Sequence, residues 1–264
     1  MTTLLTVLLA CYLLGGLLPL CTSRLSLQNG LAHSSAAVGS AAGIALGLGG
    51  LFAVQPLTLS IPSNIPYLTF ALRLDPLAAF FVLTISLVGL AASIYAYGYV
   101  REFTGRVSVG LLGSLLNGFL LSMTVVVMAD NGFFFLIAWE MMSLLSYVLV
   151  VAEHERPGVR EAGLLYLIMT HAGTAFIILT FLLFSQETGS FSFEAFRHPD
   201  QQLPEGVRSI AFFTALIGFG AKAGIVPLHV WLPEAHPAAP SPVSALMSGV
   251  MLNTAIYGML RVSF

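Results

Sequence analysis

Residues 215–253 read ALIGFGAKAGIVPLHVWLPEAHPAAPSPVSALMSGVMLN, and the rest of the chain is organised around this stretch. It begins as an apolar helix that carries Lys222, the only lysine in the sequence. Gly224 and Pro227 then interrupt the helical pattern, because proline lacks an N–H and clashes with the preceding turn. Broken backbone in a membrane must be buried in protein or line a wet cavity. We therefore expect a break between Gly224 and Trp231 that faces the protein interior, and a lone lysine beside it indicates an ion path.

The composition is that of a membrane protein. Of the 264 residues, 57% are hydrophobic and 8% are charged, against roughly 25% charged residues in soluble domains. Apolar runs recur along the whole chain and predict an all-α integral membrane protein. A net charge of −2 gives no support to nucleic-acid binding. The two cysteines indicate neither a disulfide framework nor a metal site, and no catalytic or cofactor motif is present, so we predict no redox or hydrolytic site in this chain.

The apolar runs predict eight membrane-spanning helices, of which the seventh is discontinuous. Residues 55–74 alternate between apolar and polar residues and predict a short hairpin outside the bilayer, between the second and third helices. We divide the chain into residues 1–107, with helices one to three and the hairpin, and residues 108–264, with helices four to eight. The predicted helices cover about residues 4–20, 36–54, 76–100, 108–129, 133–152, 163–184, 208–231 and 243–260.

The placement of the arginines predicts the orientation. With the N-terminus outside, five arginines lie in inside loops and four lie outside, and two of the inside loops are short and arginine-rich, as the positive-inside rule favours. The inside set is Arg24, Arg101, Arg106, Arg156 and Arg160. The sequence therefore predicts a multi-pass protein of the cell inner (plasma) membrane with its N-terminus outside.

Two charged residues lie within predicted membrane helices. Glu140 is near the middle of the fifth helix, where a charge costs about 2.5–3.5 kcal/mol on insertion scales. Such residues are functional by default, so we expect Glu140 and Lys222 to exchange protons; the alternative for Glu140 is a protonated packing residue. Burial disfavours an ammonium, and a nearby carboxylate favours it. A Glu140–Lys222 pair would thus be a switch, with the lysine charged when paired and able to lose its proton when apart.

Three histidines are further candidates for proton relay. His229 and His236 follow Lys222 at intervals of seven residues, and His171 lies in the sixth predicted helix. Histidine titrates in the physiological range and is the usual relay residue. The alternative for each is a structural hydrogen bond, which for His171 would join two helices.

Several segments together resemble one known family. Residues 219–236, FGAKAGIVPLHVWLPEAH, resemble the signature of the antiporter-like membrane subunits of respiratory complex I and of Mrp-type cation/proton antiporters. Residues 139–147, WEMMSLLSY, resemble the glutamate motif of their fifth helix, and residues 73–81 fit the start of their third helix. Within this superfamily, residues 236–251 are most similar to the large membrane subunit of hydrogenase-4 and formate hydrogenlyase complexes.

The resemblance implies a proton path. It consists of a fifth-helix glutamate, a seventh-helix lysine beside a break, and a lysine or histidine on the eighth helix. Glu140 and Lys222 match the first two positions, but Asn253 stands where many relatives carry lysine. An asparagine cannot carry a proton at neutral pH, which argues against lateral transfer of a proton through this position toward the second half of the relatives. By helical spacing, Asn253 shares a face with Leu246 and Tyr257, and we expect that face to point inward toward Lys222.

The resemblance also implies a function and partners. It predicts a proton-translocating subunit of a membrane-bound oxidoreductase complex of the hydrogenase type. The partners would be the lipid bilayer, other membrane subunits and a soluble hydrogenase arm, and the nickel–iron and iron–sulfur centres would lie in partner subunits. Relatives contain a second, inverted five-helix unit, so the chain is expected to be their N-terminal half. Two alternatives remain: an Mrp-like Na⁺/H⁺ antiporter subunit and a non-conducting membrane anchor.

Overall fold

The computed structural model describes residues 1–103, 107–197 and 204–263. In this part the chain forms α-helices, short 3₁₀ segments, one π-helical turn and one hairpin. Of the arginines that predict the orientation, Arg106 lies outside the described residues. The helices are α1 Thr2–Leu17, α2 Leu25–Leu51, α3 Pro76–Tyr99, α4 Val109–Met128, α5 Gly132–Val150, α6 Val159–Thr188, α7 Phe193–Arg197, α8 Glu205–Ala223, α9 Leu232–Ala238, α10 Ser241–Leu246 and α11 Leu252–Ser263, and the strands are β1 Leu57–Pro62 and β2 Thr69–Leu74.

The all-α membrane class is confirmed. Within the described residues, seven helical segments are long and apolar enough to cross a membrane. The predicted number of eight is not confirmed, because α8, the first part of the predicted seventh helix, is not one of the seven. Arg208 and Lys222 lie near the two ends of α8 and lower its hydropathy.

The hairpin between α2 and α3 is confirmed. Strands β1 and β2 pair antiparallel, with Leu57 opposite Leu74 and Pro62 opposite Thr69. Leu74 is fully buried, and the N–H of Asp130 donates to the carbonyl of Ala71 at 2.9 Å. The hairpin is therefore attached to the turn between α4 and α5.

Helix α2 begins well before the predicted residue 36. The sequence places a polar stretch up to Asn29 outside the second helix, whereas the structure has helix from Leu25 onward. Asn29 and His33 are buried between helices, so their polarity marks an internal contact and not a loop. Helix α3 packs closely against α2, since a Cβ at Gly47 on α2 would lie 2.8 Å from the Cβ of Leu83 on α3.

The ends of two distant helices are joined by an ion pair. The guanidinium of Arg261 on α11 donates to both carboxylate oxygens of Asp75 at 2.6 Å. Asp75 also caps α3 by accepting from the N–H of Ala78 at 2.9 Å. Bidentate arginine–carboxylate contacts are geometrically specific, so the last helix is fixed against the start of α3.

The predicted break is present between α8 and α9. Gly224 has φ 74°, and a Cβ there would lie within 2.1 Å of Leu232, so both the backbone and the packing require glycine. The expectation that the break faces the interior is wrong for its first half. Val226 is 74% exposed and Pro227 is exposed, because the left-handed turn at Gly224 directs the chain outward. The second half returns inward, where Trp231 is fully buried.

Candidate functional site

Helix α5 positions the candidate site. Asn131 begins the helix by accepting from the N–H of Phe134 at 3.0 Å, which is ordinary N-cap geometry. Trp139, Ser143 and Ser146 lie on its buried face. Glu140 is the next residue round from Trp139 and so lies at the edge of that face, where its side chain is 31% exposed.

Glycines bring α8 close to α6. A Cβ at Gly173 would lie 2.9 Å from the carbonyl oxygen of Gly218, and a Cβ at Gly218 would lie equally close to the carbonyl oxygen of Gly173. Small residues allow such backbone approach between membrane helices. The contact brings the last turn of α8, with Lys222, beside Tyr166 on α6.

Lys222 is held in a cage of hydroxyl and aromatic groups. The residue is 1% exposed, and its Nζ donates to Ser143 Oγ at 3.0 Å and to Tyr166 Oη at 2.7 Å. Nζ also lies 4.9 Å from the centroid of the Tyr166 ring and 6.0 Å from that of Trp139. Hydrogen bonds and ring faces thus replace part of the hydration that an ammonium loses on burial.

The direction of the hydrogen bonds around Tyr166 follows from their acceptors. Ser146 donates to the carbonyl of Met142 at 2.8 Å, because a carbonyl can only accept. The Tyr166 O–H therefore donates to Ser146 Oγ, 2.6 Å away, and Tyr166 Oη accepts from Lys222. A chain of donors runs from Lys222 through Tyr166 and Ser146 to the α5 backbone.

Glu140 pairs with His171 across the α5–α6 contact. Glu140 Oε2 lies 3.2 Å from His171 Nε2, and His171 Nδ1 lies 2.9 Å from the carbonyl of Leu167. The carbonyl contact requires a proton on Nδ1. With Nδ1 directed to the backbone, Nε2 is the ring nitrogen that faces the carboxyl group of Glu140.

Among the described residues, Glu140 and Lys222 do not form the expected direct pair. Glu140 contacts His171, and Lys222 contacts Ser143 and Tyr166. Glu140 and Ser143 are three residues apart on α5, about 4.5 Å along the axis, and lie on neighbouring positions of the helix surface. Two polar clusters thus lie one helical turn apart on a single helix.

His236 is connected to the lysine cage through Trp231. Its Nδ1 lies 3.2 Å from Ser244 Oγ, and its ring stacks on that of Trp231 with centroids 6.4 Å apart. Trp231 in turn contacts Tyr166, with centroids 4.9 Å apart. His229 lies in the turn after Gly224, and its Nδ1 is a buried atom with no protein hydrogen-bond partner.

Asn253 does not face Lys222, so the predicted inward orientation is wrong. Asn253 is exposed, and its Nδ2 donates to the carbonyl of Gly249 at 2.8 Å on its own helix. The cause is a π-helical turn at Met247–Met251. Such a turn contains one extra residue, which rotates the following helix by about 100° relative to a continuous α-helix. Thr254 takes the inward position and is fully buried.

Sequence reasoning missed the importance of Tyr166. The residue lies in an apolar helix, where an isolated hydroxyl is a signal for an interhelical hydrogen bond. Because tyrosine is also common in helix packing, only the structure shows that this hydroxyl binds Lys222.

Two curated proteins similar to this chain are named as components of hydrogenase-4 and formate hydrogenlyase. The chain is 42% identical over 226 residues to hydrogenase-4 component B of Escherichia coli strain K12, covering 86% of this chain and 33% of that protein. It is 28% identical to formate hydrogenlyase subunit 3 of the same organism, covering 90% of this chain and 37% of that protein. The chain thus spans about a third of the length of these relatives.

The fold and a family model agree with these relatives. A chain in the structure of the membrane-bound sulfane sulfur reductase (MBS), an archaeal respiratory membrane complex, superposes with a TM-score of 0.83 at 25% identity, covering 98% of this chain and 40% of that one. Residues 129–264 match the family model described as NADH:quinone oxidoreductase/Mrp antiporter, TM. That match begins just before α5 and includes Glu140, Lys222 and the broken helix. The chain therefore belongs to the antiporter-like transmembrane family shared by NADH:quinone oxidoreductases and Mrp antiporters.

Proposed function

We propose that the chain is a proton-translocating subunit of a hydrogenase- or formate hydrogenlyase-type respiratory complex. One observation carries the proposal: a fully buried Lys222 binds Ser143, one helical turn along α5 from Glu140, which contacts His171. Membrane proteins rarely keep such groups without using them. The two hydrogenase-complex relatives support the choice of complex. The chain spans about a third of the length of these relatives, so the activity of the whole complex is itself part of what we propose.

The geometry supports a two-position mechanism for Lys222. In the position seen here, Lys222 binds Ser143 and Tyr166. In the proposed mechanism, the Glu140–His171 pair then holds one extra proton, on His171 Nε2 or on Glu140. When the ammonium moves one turn along α5 toward Glu140, it stabilises the carboxylate. The extra proton of the pair is then released through His171. Return of Lys222 to Tyr166 lets the pair take up a new proton. Each cycle moves one proton when this uptake occurs from the side opposite to the one on which His171 released the last.

The remaining candidates take secondary roles in this proposal. His236 lies on the far side of Trp231 from Tyr166 and is the next titratable group toward the broken helix, with His229 in the turn before it. Asn253 is exposed and its amide donates to the carbonyl of Gly249 on its own helix, so the proposed path does not use it. Redox chemistry, with nickel–iron and iron–sulfur centres, would take place in a soluble hydrogenase arm, and the chain would lie in the inner membrane with its N-terminus outside.

Transport by the intact complex in liposomes tests this function. Redox turnover should acidify or alkalinise the vesicle lumen in sodium-free buffer, and Lys222→Met should abolish the change. Arg208→Gln, which removes an exposed cation from the same helix, is the control and should leave it intact. A strict requirement for Na⁺ would favour an Mrp-like Na⁺/H⁺ antiporter. Proton movement that Lys222→Met leaves unchanged would make this chain a membrane anchor.

A further inference from the structure

A second group of buried polar atoms lies in the N-terminal helices, away from Glu140 and Lys222. His33 on α2 is 3% exposed, and neither of its ring nitrogens has a hydrogen-bond partner in the protein. A neutral imidazole has one N–H donor and one acceptor nitrogen. Burying both without partners in a membrane helix is costly, because no lipid group can replace them.

The neighbours of His33 have the same property. Asn29, one helical turn earlier, donates its amide to the carbonyl of Tyr97 at 2.9 Å, while its Oδ1 is buried and unpartnered. Asn117 on α4 is fully buried and donates to the carbonyl of Ala32 at 2.9 Å, and its Oδ1 is also unpartnered. The side-chain amide nitrogens of Asn29 and Asn117 are thus held by hydrogen bonds, and their amide oxygens remain available as acceptors.

Gly113 lets α4 pack closely against α2 beside this group. Gly113 has no side chain, and a Cβ there would lie 3.9 Å from His33 Nε2 and 2.5 Å from the Cβ of Ala32. The groups placed around His33 by these contacts are neutral: two carboxamides, backbone and small apolar side chains. They offer acceptors and a donor without charge. That combination suits water, which donates and accepts, and it suits a metal cation poorly.

We propose that α2, α3 and α4 enclose a water-binding well that opens where α2 begins and ends at His33 and Asn117. Asn29 lies in the first turns of α2, and its partner Tyr97 lies in the last turn of α3, so the mouth is at that membrane boundary. His33 is eight residues from Leu25, about 12 Å along the helix, against a hydrocarbon core of about 30 Å. The well therefore brings water, and the imidazole of His33, into the membrane by a route separate from the Glu140–Lys222 clusters.

Cysteine labelling in the intact complex tests the well without relying on transport. In a background with Cys11→Ser and Cys21→Ser, His33→Cys is exposed in vesicles of both orientations to a charged, membrane-impermeant methanethiosulfonate reagent. Leu46→Cys is the matched control, because Leu46 is on the same helix and fully buried but has an apolar setting. We expect His33→Cys to react at least about tenfold faster, since the thiolate is the reactive form and its ionisation needs water.

The side of labelling and two further positions complete the test. Labelling should occur only from the side on which α2 begins. Asn29→Cys at the mouth and Asn117→Cys at the bottom should label from the same side, and they decide the question if His33→Cys does not assemble. Reaction no faster than that of Leu46→Cys, or reaction from the opposite side, would overturn the well.

Discussion

Tyr166→Phe should slow proton transport by removing one hydroxyl from the lysine cage. The variant deletes the 2.7 Å acceptor of Lys222 and the donor to Ser146, while the ring can keep its place against Trp231. A buried hydrogen bond to a charged group contributes about 1.5–3 kcal/mol. About 1.4 kcal/mol is a factor of ten in population. The position of Lys222 beside Ser143 and Tyr166 should therefore lose about 10- to 100-fold in population relative to the position near Glu140.

The expected result is a fall of about tenfold in the rate of coupled proton movement, because a cycle needs both positions to be populated. The assay is redox-driven pH change in liposomes that contain the intact complex, normalised to the redox turnover of the soluble arm. Tyr12→Phe is the matched control. Tyr12 is also fully buried, and its hydroxyl bonds to Ser40 at 3.0 Å, far from Lys222 in the chain. If both variants pump at the same rate, the hydroxyl of Tyr166 has only a packing role and the two-position mechanism fails.

Three further substitutions test separate parts of the structure. Glu140→Gln should assemble normally but abolish coupled proton movement, because an amide cannot take up the extra proton; unchanged pumping in the same liposome assay would reduce Glu140 to a packing residue. Gly224→Ala should lower the thermal unfolding temperature of the complex, since a left-handed alanine costs about 1–2 kcal/mol and its Cβ would meet Leu232; Gly206→Ala, where the added Cβ meets nothing, should not, and equal melting of the two would contradict the steric argument. Asn253→Lys should leave the pumping rate unchanged, because the side chain points away from the cage; a higher rate would show that this face takes part in transfer.

The sequence predicts the elements of this fold well where hydrophobicity alone decides them. The apolar runs locate α3, α4 and α5 to within a few residues, and the alternation of residues 55–74 locates the hairpin. The prediction fails where polar residues are buried. Asn29 and His33 look like a loop in the sequence, yet they lie inside α2 because neighbouring helices cover them. Local polarity does not distinguish a solvated segment from an internal polar contact.

The sequence indicates which residues form the candidate site but not which of them contact each other. A lone glutamate and a lone lysine in apolar helices are conspicuous, and both occur in the site. Which group each one contacts depends on helix rotation and on close approach at Gly173 and Gly218, which no spacing along one helix specifies. The same holds for Asn253, whose orientation is set by a π-helical turn that has no clear sequence signal.

The separation of the two polar clusters has a consequence for how the switch can work. Glu140 and Ser143 are fixed to one helix, so their spacing of about 4.5 Å along the axis does not change when the complex moves. The flexible four-carbon stem of a lysine can cover that distance by rotamer changes alone. Side-chain rotation needs no rearrangement of α5 or α8. The close glycine contacts between α6 and α8 leave α8 little room to shift. The time that Lys222 spends in each position is then set by the two hydroxyls of Ser143 and Tyr166 on one side and by the protonation of the Glu140–His171 pair on the other. In the proposed mechanism, a motion of partner subunits that changes the surroundings of His171, which is 44% exposed, would drive the cycle without moving α8.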